Sequence, residues 1–187
     1  MNLYSLPWTV EYKGKVYRLT PTHDCVLKMY AAIDGMDYAA QVDICLHYLI
    51  DGKHPISEEL LQEVQKVLFP TGGKSDKKVF DFVQDAELIY AAFMQTYHID
   101  LIDTPLHWWK FGALLSGLPS DTRFAEVVQI RTMEIPKPTK YNHEERMRII
   151  RLKHDYALKQ TAEEREKNLQ EGFRKIAESL LARAKDG

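Results

Sequence analysis

The 187-residue chain lacks most of the features that announce chemistry. It has two cysteines, Cys25 and Cys45, in helix-like stretches and without C-x-x-C spacing. They read as reduced, packed thiols of a reducing cytosol, with a structural disulfide as the less favoured alternative. No apolar run approaches the roughly 20 residues needed to span a bilayer, so no membrane role is expected. The N-terminus has no basic start followed by an apolar run, and does not read as a secretory signal. Charge of one sign is missing too. The net charge is −2, which advertises neither nucleic acid nor anionic lipid as a partner.

Catalytic motifs are equally scarce. "TGGKS" (71–75) looks like the end of a phosphate-binding loop, but the glycine required five positions before Gly73 is Leu68. "HIDLIDTPLH" gathers His98, Asp100, Asp103 and His107, all metal-ligand types. They straddle a helix start, where Asp reads as a cap and His as a surface residue. "HEERM" at 143 has Met147 where a zinc-protease helix needs its second histidine. No nucleophile–base arrangement can be singled out. No enzyme, metal or cofactor is expected.

What is present is helix pattern. Trp8, Val10 and Tyr12 alternate, "KG" offers a turn, and Val16 and Leu19 continue, which predicts a small N-terminal β-hairpin. Thr22 is a candidate cap for "HDCVLKMYAAID". Val42, Cys45, Leu46 and Leu49 make one buried stripe. Ser57 caps "EELLQEVQKVLF", which Pro70 ends. A long apolar helix is expected over "KVFDFVQDAELIYAAFMQTYH", with Phe82, Ala86, Ile89, Phe93 and Met94 on one face. The next helix should be capped by Asp103 or Thr104, with Pro105 in its first turn and Gly117 and Pro119 as its stop. Another follows a cap at Ser120.

"IPKPTKYN" (135–142) marks a boundary. The expected organisation is a helical domain with an N-terminal hairpin over 1–140 and a charged helical tail over 141–187. From His143 onward there are eleven basic and nine acidic residues, interleaved at helical spacing, so a solvated helix is favoured over a nucleic-acid face. A continuous helix there would be about 65 Å long. Met147, Ile150 and Leu158 form a weak stripe. Leu169, Phe173, Ile176 and Leu180 follow a 4-3-4 spacing, like a short association seam. The fold class is therefore mainly α, with a small N-terminal β-hairpin and a long charged C-terminal helix.

The most informative stretch is "LHWWKFGALLSGLP" (106–119). Neighbouring residues on a helix point about 100° apart, so its two tryptophans face different surroundings. Trp108 shares a bulky sector with Phe111, Leu115 and Leu118 and reads as core. His107, Lys110 and Leu114 share a sector that meets water at its edge. Trp109 falls among Gly112, Ala113 and Ser116. Small residues there let another helix approach closely. That helix either belongs to the same domain or to a partner, and for a partner Trp109 would be an anchor. Arg131 sits near a helix C-terminus, where it either neutralises the dipole or meets a partner.

"LHWWKFGALLSGLPSDTRFAEVVQIRTMEIPK", with the hairpin leading into "YRLTPTHDCVLKMYAAID", closely resembles the hallmark segments of a phage tail family, the gene-product-fifteen proteins. The resemblance covers roughly residues 1–140. It implies no catalytic residues. Such proteins are typically encoded between tail-tube and tape-measure proteins, the usual place of tail-assembly chaperones in siphophages. The resemblance thus implies non-enzymatic binding of the tape-measure protein in the host bacterial cytoplasm during tail morphogenesis. The tail-tube protein is a second candidate partner, and homo-oligomerisation is expected. The alternative is a structural tail-completion or adaptor subunit of the virion. The candidate protein-binding residues are Trp108, Trp109, Phe111, Gly112 and Arg131, with Leu169, Phe173, Ile176 and Leu180 as an association seam.

Overall fold

Local chemistry at the N-terminus sets the first element. Strands β1 (Thr9–Tyr12) and β2 (Lys15–Leu19) pair antiparallel around a two-residue turn in which Lys13 and Gly14 both have positive φ (50° and 74°). A two-residue loop with both angles positive matches the twist of the strands it joins. It also sets the register, placing Val10 opposite Tyr17 and Glu11 opposite Val16. Tyr17 and Leu19 therefore turn inward with Val10, and Val16 is 63% exposed rather than on the buried face. A third strand, β3 (Ile50–Asp51), adds antiparallel to β2 directly after the second helix. Two residues carry no periodicity, so nothing in the pattern forecast it.

A computed structural model describes residues 5–33, 35–70 and 78–159. Among these residues the fold is mainly helical: α1 (His23–Ala32), α2 (Tyr38–Leu49), α3 (Glu58–Leu68), α4 (Ala86–Tyr97), α5 (Trp108–Ser116), α6 (Arg123–Thr132) and α7 (His143–Asp155). In α2 the stripe Val42, Cys45, Leu46 and Leu49 is buried as its spacing requires. In α3 the Ser57 hydroxyl accepts from the Leu60 amide (3.4 Å), with Glu58 and Glu59 in the first turn. That arrangement answers the orphan amides and the helix dipole together.

Three helices start later than their patterns predict. α4 begins at Ala86, not near Lys78. The Asp81 carboxylate accepts from the amides of Val83 and Gln84 (both 2.8 Å), and Asp85 accepts from the Asp81 amide (2.9 Å). These side chains offer the backbone a turn in place of a helix. Phe80 and Phe82 enter the core from that turn, and Ala86 and Met94 lie on the exposed side. α5 begins at Trp108 with His107 as its cap, so neither Asp103 nor Thr104 caps it and Pro105 stands outside it. The α6 cap is Thr122, whose hydroxyl accepts from the Ala125 amide (3.3 Å), not Ser120.

The helix that begins at His143 ends at Asp155 and does not run on as one rod. Its buried residue is Ile149, with Leu152 and Tyr156 half-buried, while Met147 and Ile150 face outward. Lys153 donates to the carbonyls of Arg131 (2.6 Å) and Met133 (2.7 Å), tying α7 to the end of α6. The seam Leu169, Phe173, Ile176 and Leu180, like the "TGGKS" loop, lies outside the described residues.

Two apolar clusters result. One joins the sheet to α1, α2 and α3; the other joins α4, α5 and α6 around Phe93 and Phe111. Trp108 packs against both. Phe111 is fully buried, with ring centroids 5.2 Å from His23, 5.2 Å from Phe93 and 5.5 Å from Trp108. Phe111→Ala should cost about 3–5 kcal/mol by opening a cavity in this stack. Urea unfolding checks it: the midpoint should fall sharply with an unchanged slope.

Candidate protein-binding face around the paired tryptophans

The site starts from a short strap. Thr22 and His107 form an isolated antiparallel bridge, with the His23 amide donating to the Leu106 carbonyl (2.8 Å) and the Trp108 amide to the Pro21 carbonyl (2.6 Å). This pairing is why α5 begins only at Trp108: the backbone of residues 106–108 is already engaged by the α1 entry.

His107 is not a surface residue; it is 4% exposed. An amide can only donate and a carbonyl only accept. Nδ1 therefore accepts from the Trp109 amide (3.1 Å), and Nε2 carries the proton it donates to the Pro7 carbonyl (3.2 Å). Burial holds its pKa below the ordinary 6.5, with Lys110 adding repulsion and the Pro7 carbonyl opposing both. His23 uses the same scheme, with Nδ1 accepting from the Leu106 amide (3.1 Å) and Nε2–H donating to the Leu101 carbonyl (3.0 Å). Neither ring has a nitrogen left for a metal. Asp100 accepts from Tyr90 (3.1 Å) and the Ile102 amide (2.9 Å). Among the described residues, no three His, Cys, Asp or Glu side chains gather as a metal site.

The two tryptophans diverge as the projection requires. Trp108 turns inward against Phe82 (5.6 Å), Phe69 (5.8 Å) and Phe111. Trp109 is half-buried, and its indole N–H donates to the Leu68 carbonyl (2.8 Å), one of the unpaired acceptors at the end of α3. The neighbouring sector stays open. A Cβ placed on Gly112 meets nothing within 4 Å, and Ala113 and Ser116 are exposed. Phe111, by contrast, is core.

Arg131 faces inward. Its guanidinium grips Asp85 through two bonds (2.6 and 2.9 Å), and also donates to the carbonyls of Tyr156 (2.6 Å) and Val79 (3.3 Å). The two side chains are 9% and 2% exposed. Sequence reasoning missed Asp85, His23 and His107. The ion pair spans 46 residues and has no local signature.

A groove of about 710 Å³ lies between α1, α2 and α3. Tyr30 and Phe69, whose rings lie 6.5 and 5.8 Å from that of Trp108, line it. Cys45 lines it, and burial pushes that thiol's pKa up, away from nucleophilic reactivity. No helix among the described residues is long and apolar enough to cross a membrane.

The geometry defines a small, mainly helical protein whose buried polar side chains hold its own elements together. The chain belongs to the bacteriophage Gp15 protein family, whose model matches residues 3–158. The match reaches through α7, beyond the stretch that carries the sequence resemblance. No curated protein and no solved structure matches it.

Two outcomes follow from these contacts. Arg131→Ala and Asp85→Ala should each cost about 3–5 kcal/mol, because each strands a buried charge. The double variant should lose less than the sum, as read by urea denaturation. For His107, the unfolded chain takes up a proton before the folded one as pH falls. Its contribution is complete above pH 6.5 and is lost as pH drops through 6.5 toward the lower folded value. Between pH 7.5 and 5.5 the native protein should therefore lose more stability than His107→Asn, which keeps a cap but cannot titrate. Equal losses in the two proteins would contradict this.

Proposed function

We propose that this phage protein is a tail-assembly chaperone that binds the tape-measure protein non-covalently during tail morphogenesis. The family membership supports a phage role, and the gene order usual for the family points to this step. The observation that carries the binding mode is the open sector of α5. Gly112, Ala113 and Ser116 present a low, small-residue surface beside the half-buried Trp109. Small side chains allow close helix approach, and a neighbouring indole supplies a rigid wall. A long helical client would be covered by many such weak contacts. Linked copies would then hold it by avidity and release it as tube subunits replace them.

Co-expression with the neighbouring tape-measure protein tests the reading. The tape measure should be soluble with this chain and aggregate without it; insolubility in both cases would sink the proposal. Stoichiometric amounts of this chain in purified virions would favour a structural tail-completion subunit instead. Gly112→Arg probes the face itself. A Cβ there meets no neighbour, and arginine is a far better helix former than glycine, so the fold should be retained or strengthened. Solubilisation of the tape measure should nevertheless fall. An unchanged soluble yield would exclude the α5 face.

A further inference from the structure

The chain separates its charge along the sequence. Residues 1–136 hold eighteen acidic and twelve basic side chains, whereas residues 137–159 hold three acidic and seven basic. Helix α7 sorts the second group by face. Arg146 and Lys153 turn inward beside the buried Ile149, where they donate to the backbone carbonyls of residues 136, 131 and 133. On the opposite side Met147, Arg148, Ile150 and Arg151 fall within one sector of the helix, and all four are exposed. Two guanidiniums and two apolar side chains thus form one outward stripe.

The acidic part of the chain holds a counterpart of the same mixed kind. Where α2 and α3 begin, Met36, Tyr38 and Ile56 are exposed in company with Asp37 and Glu58. The Glu58 carboxylate lies beside the Tyr38 hydroxyl and pushes that phenol's pKa up, so the two helix starts form one corner. Asp37 uses one carboxylate oxygen to accept from the Ala40 amide (3.0 Å), and Glu59 already holds Lys13 (2.8 Å). Among the described residues, none of Asp37, Glu58, Arg148 and Arg151 belongs to an ion pair.

We propose that the α7 stripe of one copy docks on the α2–α3 corner of a second copy. Arg148 and Arg151 face Asp37 and Glu58, while Met147 and Ile150 pack on Met36, Tyr38 and Ile56. Charge complementarity selects this occupant. A nucleic-acid backbone would engage the arginines alone, whereas the corner answers both the charges and the apolar side chains between them. The two surfaces differ, so the contact is head-to-tail, and each copy added leaves one stripe and one corner open at the ends. Few side chains meet at each contact, which makes it weak and concentration-dependent. The inference concerns α7 and the α2–α3 corner, not the α5 face, and stands whatever the client is.

Light scattering of the full chain over a concentration series tests it. At low salt the native chain should pass twice the monomer mass as concentration rises. The mass should fall again near 0.5–1 M salt, where attraction is screened beyond roughly 3–4 Å. Arg148→Glu/Arg151→Glu reverses the stripe and Met36→Lys/Glu58→Lys reverses the corner, all at exposed positions. Each variant should stay monomeric at concentrations where the native chain associates. The chain carrying all four substitutions should associate again, because the attraction is restored with its signs exchanged, a recovery that misfolding cannot produce. A native chain that stays monomeric throughout overturns the proposal. So does association that ignores salt, association of either two-site variant equal to the native chain's, or a four-site variant that remains monomeric.

Discussion

The bridge between residues 21–23 and 106–108 is the contact on which the rest of the architecture hangs. It is only a few backbone hydrogen bonds, yet it joins the chain entering α1 to the chain entering α5 across more than eighty residues. Buried backbone groups must find partners, and here each segment supplies them to the other. His23 and His107 complete the work with their side chains, each taking one amide and giving one proton to a carbonyl. Because α5 starts from this bridge, Phe111 is delivered one turn later over the His23 ring. The helix that carries the tryptophans is positioned by hydrogen bonds before its apolar contacts are counted.

The bridge explains why Trp108 belongs to both apolar clusters. It follows His107 directly, so its ring must lie where the sheet-bearing half meets the aromatic half. Rings from both sides converge on it: Tyr30 and Phe69 from one, Phe82 and Phe111 from the other. A second fastening secures the far side. Arg131 draws together α6, the turn before α4 and the end of α7, and Lys153 caps the α6 carbonyls from α7. A buried ion pair repays its desolvation only when its geometry and remaining hydrogen bonds are good. Both conditions hold here, since the fork is two-pronged and two further carbonyls accept from the guanidinium.

The parts of this fold written in local periodicity were legible in the sequence: the hairpin, the α2 stripe, the Ser57 cap, and the division of the tryptophans. What escaped was set by partners distant in sequence. Val16 reads as a plausible inward residue until the two-residue turn sets the register. Residues 78–85 read as helix because Phe80 and Phe82 are apolar, and only the carboxylates of Asp81 and Asp85 reveal a turn. Pro105 reads as a first helical residue, but the backbone beyond it is committed to the α1 entry. Arg131 reads as neutralising a helix dipole or meeting a partner, because its true partner, Asp85, lies 46 residues away. Of the candidate face, the small-residue sector around Gly112 was legible, whereas its staying open and the anchoring of Trp109 to α3 were not.

That anchoring alters what the doubled tryptophan can contribute to binding. An indole whose N–H is already donated to Leu68 cannot offer that bond to a partner, and a half-buried ring has limited area to add. On the proposed reading, recognition then rests on shape: small residues admit a helix closely, and few directional bonds form when it arrives. Contacts of this kind are individually weak and leave quickly, since affinity differences of related interfaces reside mainly in the dissociation rate. A chaperone that covers a long client and then surrenders it, as proposed, needs that property. The buried histidines and the Arg131–Asp85 pair are turned inward, where they fasten α5 and α6 in place, and on the proposed reading the small-residue sector left outward is the one that makes reversible contact.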